Sequence, residues 1–369
     1  MRIKPFQAIF PNVELITSAD HFFSAVKADY AEYFKSGFFH KSSREGFYIY
    51  QITTPMRTFA GLIASVDIRD YLQGKIKKHE NTIAAQEQQQ MHYMLQRHAQ
   101  LKPVILTYRK VEEIENLLKK SLSTARPVLK LFLDKNQEQH SFWEVTEGQI
   151  IRQIKDLFQE QVPLTYIADG HHRSSTTALM YRRYGRRKTE PRFNSLLAAF
   201  FPTDELEIHD FNRVIVGLNE LTPAIFMAKI SQLFDIELLK EARKPARKHE
   251  ITMYLEREWY QLCWKKSILE EFKKEPVLLD VHLLNDKVLH GILGIRDVRR
   301  DIRLKYVEGP KGLEGVKEKT LKTENRLAFC LYPVTMSDFL SIADAGNVLP
   351  PKSTWFEPRF KNGLIVQEY

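Results

Sequence analysis

The 369-residue chain has almost no cysteine: Cys263 and Cys330 are its only thiols. Two isolated thiols form neither a disulfide framework nor a metal motif, so the expected compartment is a reducing cytoplasm. No apolar run approaches the ~20 residues that cross a bilayer. The opening MRIKPFQAIFPNVELI has no signal-peptide apolar region and no cleavage pattern. Internal repeats, low-complexity tracts and an obvious flexible linker are also missing. Disulfide-stapled, membrane-spanning and solenoid classes are therefore excluded.

What remains is a globular composition, 43% hydrophobic and 27% charged. The length allows two domains, or one large domain with insertions. Net charge is +9, which favours nucleic acid or phosphorylated small molecules as partners. The positive charge is clustered. Arg182, Arg183, Arg186, Arg187, Lys188 and Arg192 form one group, Lys240, Arg243, Lys244, Arg247 and Lys248 a second, and Arg296, Arg299, Arg300, Arg303 and Lys305 a third. A solvated face explains the second group; the first is placed to attract anions.

The segment 164–184, LTYIADGHHRSSTTALMYRRY, carries the densest chemistry. Its apolar start reads as a buried strand, and its end, free of Gly and Pro, as a helix. Asp169, Gly170, His171, His172 and Arg173 stand between them. A strand that turns on a glycine into a helix offers free N–H groups to an anion. A carboxylate, two imidazoles and a guanidinium at that point suit a phosphorylated ligand, with or without a metal. A lone Asp-Gly is commonly just a turn; five such residues wedged between strand and helix favour a site.

Elsewhere, helices are predicted over 19–34, 67–74 (capped by Asp67, closed by Gly74), 112–121, 150–158 and 335–345. Strands are predicted over 47–52, 61–66, 103–108, 127–133, 142–145, 195–201, 276–281 and 326–331. Residues 219–275 read as largely helical, and 305–315 as turn-rich. His79, Glu80 and Thr82 sit where a new helix begins; an acid there is often only a dipole partner. Asp210, Phe211, Asn212 and Arg213 read as a strand end facing a site, with Phe211 alternatively plain core. Lys352, Ser353 and Thr354 add an ammonium and two hydroxyls after a Pro-Pro turn.

The motifs IKKHENT (76–82), YIADGHHRSSTTAL (166–179), LEIHDFNRVI (206–215) and the segment 324–364 with its PPKST resemble the domain of unknown function 1015 family. The resemblance spans nearly the whole chain after about residue 47. Members carry an early Pro-Tyr-Asp element; here TSADHFF occupies that region. The same ordered motifs resemble the free serine kinases, with their ParB/sulfiredoxin-like fold. That resemblance implies an α/β (α+β) protein with three parts. A catalytic core would span 1–215, an insertion about 109–160, and a C-terminal α/β domain 216–369 whose tail returns to the site. It also implies phosphoryl transfer between a nucleotide, ATP or ADP, and the hydroxyl of serine or a similar metabolite, with Mg²⁺. Glu80 would be the base and Asp169 the required acid, a Mg²⁺ ligand or a histidine's partner, with His172 beside them in catalysis. Gly170, His171, Arg173, Lys352, Ser353 and Thr354 would hold phosphates, and His79, Phe211, Asn212 and Arg213 the substrate. A phosphoserine phosphatase and a ParB-like nucleotide- or DNA-binding protein are the alternatives. The lack of a clear helix-turn-helix counts against DNA, and no membrane partner is expected.

Overall fold

The computed structural model describes residues 1–185, 193–273, 275–322 and 327–369, apart from the side chain of Thr124. Arg186, Arg187, Lys188 and Arg192 of the first basic group lie outside the described residues. The chain forms two compact units, Met1–Glu207 with Pro358–Tyr369, and Ile208–Glu357. The first break thus falls ahead of residue 215, and the last dozen residues rejoin the first unit. Both units are mixed α/β, as the sequence predicts.

The first unit is built on a nine-stranded mixed sheet. Its strands are β1 (Ile3–Lys4), β2 (Phe47–Thr53), β3 (Thr58–Asp67), β4 (Ile76–Lys77), β5 (Val104–Tyr108), β6 (Leu129–Leu133), β7 (Glu138–Val145), β8 (Thr165–Asp169) and β9 (Ser195–Pro202). The order is β4-β8-β5-β9-β3-β2-β7-β6, with β1 added on β3. β8 runs parallel to β4 and antiparallel to β5, and β9 runs parallel to β5. Strands β3, β5 and β9 are apolar almost throughout because both faces are buried. Gly61 is needed in β3: a Cβ there would lie 2.6 Å from the Phe200 carbonyl and 2.8 Å from the Phe201 ring.

Among the described residues six α-helices accompany this sheet: α1 (Ala19–Lys35), α2 (Ile68–Leu72), α3 (Ala84–Arg97), α4 (Glu112–Thr124), α5 (Gly148–Gln161) and α6 (His171–Tyr184). Asp67 caps α2 through the Arg69 N–H, as its sequence predicts. Helix α3 starts at Ala84, leaving His79, Glu80 and Thr82 in the extended segment ahead of it. The stretch 109–160, expected as an insertion, adds α4, β6, β7 and α5. β7 pairs with β2, so the stretch extends the same sheet instead of forming its own. α4 and α5 bury Ile114, Leu118, Ile154 and Phe158 in one core with Leu106, Ala198 and Phe200.

The second unit carries a six-stranded antiparallel sheet. Its strands are β10 (Phe211–Ile215), β11 (Phe234–Leu239), β12 (Glu250–Leu255), β13 (Glu258–Trp264), β14 (Leu304–Glu308) and β15 (Leu327–Leu331), in the order β11-β13-β12-β15-β10-β14. This corrects the helical reading of 219–275, where among the described residues only Pro223–Leu233 and Lys266–Glu271 are helical. The missed signal was period two: Phe234, Ile236 and Leu238 alternate with polar residues. A tight turn, with Glu256 and Arg257 at φ 57° and 137°, then joins β12 to β13. The strand predicted over 276–281 is absent. Asp280–Leu283 is helical and passes into a wide π-type stretch, Leu284–His290, burying Val281, Leu283, Leu284, Val288 and Leu289. The turn-rich 305–315 divides between β14 and the start of the helix Gly312–Thr320.

The ring of Phe158 is fully buried, 5.0 Å from Phe200 and 5.5 Å from Tyr108. Phe158→Ala should destabilise the first unit by about 3–5 kcal/mol, the range for truncating a core phenylalanine. Urea-dependent hydrogen exchange in β5 measures it. A loss below about 1 kcal/mol would show that α5 does not brace the sheet.

Candidate active site

Strand β8 ends at Asp169 and helix α6 begins two residues later. Gly170 between them has φ 111°, and a Cβ there would sit 2.8 Å from both Arg173 Nη2 and Val104 Cγ1. Only glycine meets both demands. No side chain caps α6, so its first N–H groups are left for solvent or a ligand. Ser174 and Thr177 turn their hydroxyls back onto the carbonyls of Gly170 and Arg173. Three of the four hydroxyls in the Ser-Ser-Thr-Thr run thus serve the helix itself, and Thr176 donates to the Glu87 carbonyl of α3.

Asp169 is the hub. Arg173 Nη2 donates to its Oδ2 at 2.8 Å, Arg359 Nη2 to its Oδ1 at 3.2 Å, and Lys102 Nζ stands 3.8 Å from Oδ2. Burial would raise its pKa, but the three cations outweigh burial and hold the carboxyl far below the usual range. Lys102 shows the converse. Burial brings its ammonium down to about 8, against the pull of Asp169 and with help from Arg173, Arg359 and Lys361.

The histidines form a second layer. His79 is buried, hydrogen-bonded to the backbone of Ile167, and its ring meets His171 edge-on at 4.3 Å. The His79 N–H donates to His171 Nε2 at 3.3 Å. That bond assigns the proton of a neutral His171 to Nδ1, which lies 3.9 Å from Glu80 Oε2. Burial lowers His171 to about 4, so the ring is neutral near pH 7. His172 is lowered too, mainly by burial, while the charges of Glu80 and Glu87 oppose it. Its Nδ1 is buried with no hydrogen-bond partner among the described residues.

The structure thus brings His79, Glu80, Asp169, Gly170, His171, His172 and Arg173 together in the first unit. Lys352, Ser353, Thr354, Phe211, Asn212 and Arg213 belong to the second. There Arg213 is fully buried and donates to the carbonyls of Phe211 and, at 3.0 Å, Lys352. Burial brings Arg213 down to about 10. Lys352 has φ 57° and its ammonium lies 5.4 Å from the Phe211 ring centre. Ser353 Oγ donates to the Pro350 carbonyl at 2.5 Å, fixing the turn. Asn212 accepts from the Leu331 N–H at 3.1 Å, and Phe211 is buried. Asn212, Phe211 and Arg213 therefore have structural work in hand: sheet pairing, core packing and bracing of the Lys352 turn. Sequence reasoning missed Lys102, a single lysine before a strand with no motif around it. It also passed over Arg359, which lies inside the 324–364 segment.

A phosphate fits the turn: the helix start is uncapped and cations surround it. A protein-held Mg²⁺ does not fit Asp169, whose two oxygens already face three cationic nitrogens. Magnesium prefers a site shared between carboxylate, phosphate and water oxygens.

Because His171 titrates near 4 in the folded chain and near 6.5 unfolded, the unfolded state binds more protons between those values. Its contribution to stability is therefore complete above pH 6.5 and is lost as pH falls toward 4, by up to about 3 kcal/mol. His171→Gln should flatten that part of a stability-versus-pH curve from urea unfolding. An unchanged slope would rule out the buried neutral ring as its source.

No curated protein matches the sequence. The fold is similar to several solved structures. A free serine kinase in complex with AMP is 16% identical, with a TM-score of 0.41, over 82% of this chain and 92% of that one. A conserved hypothetical protein from Pyrococcus furiosus is 13% identical, with a TM-score of 0.39, over 83% and 95%. A C-terminally truncated SbnI from Staphylococcus aureus is 11% identical, with a TM-score of 0.41, over 81% and 85%. The family model described as a protein of unknown function, DUF1015, matches residues 6–282, and the chain belongs to that family.

Proposed function

We propose that the chain is a small-molecule phosphotransferase, moving a phosphoryl group between a nucleotide and the hydroxyl of serine or a similar metabolite. One observation carries this reading. The uncapped α6 turn at Gly170 stands within a surplus of positive charge, with the carboxylate of Glu80 on the far side of His171. Phosphoryl transfer needs mainly positioning and charge neutralisation, and this turn supplies both. In the proposal, the N–H groups behind Gly170 and the free donors of Arg173 bind phosphate oxygens. Arg173 Nε is buried with no partner among the described residues, so a further acceptor suits it. Glu80, 43% exposed on its side chain, takes the proton of the attacking hydroxyl. His171, neutral with its Nδ1–H 3.9 Å from Glu80 Oε2, closes on that carboxylate when substrate binds. In the proposal His172, in the field of the same carboxylate, passes the proton on. Asp169 is a positioning residue that holds Arg173 and Lys102. ATP or ADP is the donor, and any Mg²⁺ enters with the nucleotide phosphates.

Incubation with serine, Mg²⁺ and ATP, ADP, CTP or pyrophosphate, followed by phosphorus NMR, should yield phosphoserine with at least one donor. Glu80→Gln should lower turnover at least ~100-fold, the low end for a general base, while nucleotide affinity stays within about threefold by calorimetry. No phosphoserine with any donor would sink the reading. Full turnover in Glu80→Gln would remove Glu80 from its role.

A further inference from the structure

A cavity of about 250 Å³ lies beside the turn in the first unit, between α3, α6, the residues ahead of β5 and the returning tail. Lys27, Arg97, Lys102 and Arg173 line it, with Gln90 and Asn362, and no acidic side chain among the described residues does. Lys102 and Arg173 share Asp169 outside the lining. Lys27 and Arg97 form no ion pair among the described residues. They share the Tyr93 ring instead, with Arg97 4.2 Å and Lys27 5.1 Å from its centre. Arg97 Nε and Nη2 are buried with no hydrogen-bond partner among the described residues. Buried guanidinium donors are rarely left unmatched, because losing water without gaining an acceptor is costly.

We infer that this cavity is a binding site for the phosphate group of a small metabolite. Four lining cations, only two of which meet the Asp169 carboxylate, leave room for a dianion, and a phosphomonoester carries about −1.5 to −2 charges at neutral pH. Arginine forks match phosphate oxygens in pairs. The volume lies below the roughly 300–1,000 Å³ of pockets for drug-sized ligands, so the ligand is smaller than a nucleotide. Lys27, Arg97 and Lys102 fall outside the motifs that carry the family resemblance. The site stands on the cavity alone and does not require the phosphotransfer reading.

Calorimetry with inorganic phosphate, glycerol phosphate and malonate tests it in the full chain. Phosphate or glycerol phosphate should bind more tightly than malonate. Arg97→Met should weaken binding at least tenfold, Lys27→Met several-fold, and Arg97→Lys less than Arg97→Met. Tighter binding of glycerol phosphate would identify a phosphorylated metabolite, and equal binding free phosphate. Circular dichroism checks folding; should Arg97→Met not fold, the partly exposed Lys27→Met decides. No binding to the unmodified chain, binding indifferent to Arg97 and Lys27, or preference for malonate would each overturn the site. Arg97-dependent binding without turnover would remove only the phosphotransferase, and turnover with Arg97-independent binding only the cavity.

Discussion

A single carboxylate makes the first unit's charged corner possible. Lys102 precedes β5, Arg173 sits in the first turn of α6, and Arg359 belongs to the tail that returns after Pro358. Three cations drawn from separate parts of the chain repel one another; at 4 Å each pair of unit charges costs about 4 kcal/mol in a medium of effective dielectric 20. Asp169 touches all three and turns that repulsion into a joint. The joint also ties the tail to the strand end electrostatically, beyond the backbone pairing of Gln367 and Glu368 with Gln100 and Ala99. One negative charge against three leaves a positive excess, which repels a metal and invites an anion. The acid of the Asp-Gly-His-His-Arg motif is thus better understood as an organiser of cations than as a chelator.

Backbone geometry does the rest. Strand β8 delivers Asp169 at its end, and the left-handed Gly170 turns the chain so that α6 starts at once. The two histidines that follow meet different surroundings. His171 faces inward against His79 and the protein pins its tautomer through a backbone N–H, so it cannot serve as a cation near neutrality. His172 is more open and lies in the field of two glutamates. Adjacent identical residues therefore differ in chemistry because the helix aims them in different directions.

This division explains what the sequence could and could not reveal. The strand–glycine–helix turn was legible because its chemistry is local: five consecutive residues carry it. The strands of the first sheet were legible because burial on both faces leaves continuous apolar runs. The second sheet was misread because half-buried strands carry polar residues at alternate positions, and Phe234, Ile236 and Leu238 or the Trp259–Trp264 stretch were taken for helix. Lys102 and Arg359 were hidden for a different reason. Their role depends on contacts 67 and 190 residues away in the chain, to Asp169, and no spacing rule encodes that. Asn212 and Arg213 carry structural contacts that sequence does not show: Asn212 Oδ1 accepts from the Leu331 N–H, and Arg213 donates to backbone carbonyls.

Net charge alone does not separate an anion site from a solvated face; the placement of counter-charges does. In the second unit several basic residues of the clusters are paired with acids. Lys244 stands 3.5 Å from Asp210, Lys248 3.1 Å from Asp338, and Arg303 2.7 Å from Asp301. These pairs are ordinary polar structure, each worth little in stability. Around α3 and α6 the accounting differs, because Lys27 and Arg97 have an aromatic face in place of an acid. An aromatic ring steadies a cation without neutralising it, so the charge persists for a ligand to meet. The surplus of +9 thus acquires a functional address only where the fold withholds the matching carboxylate.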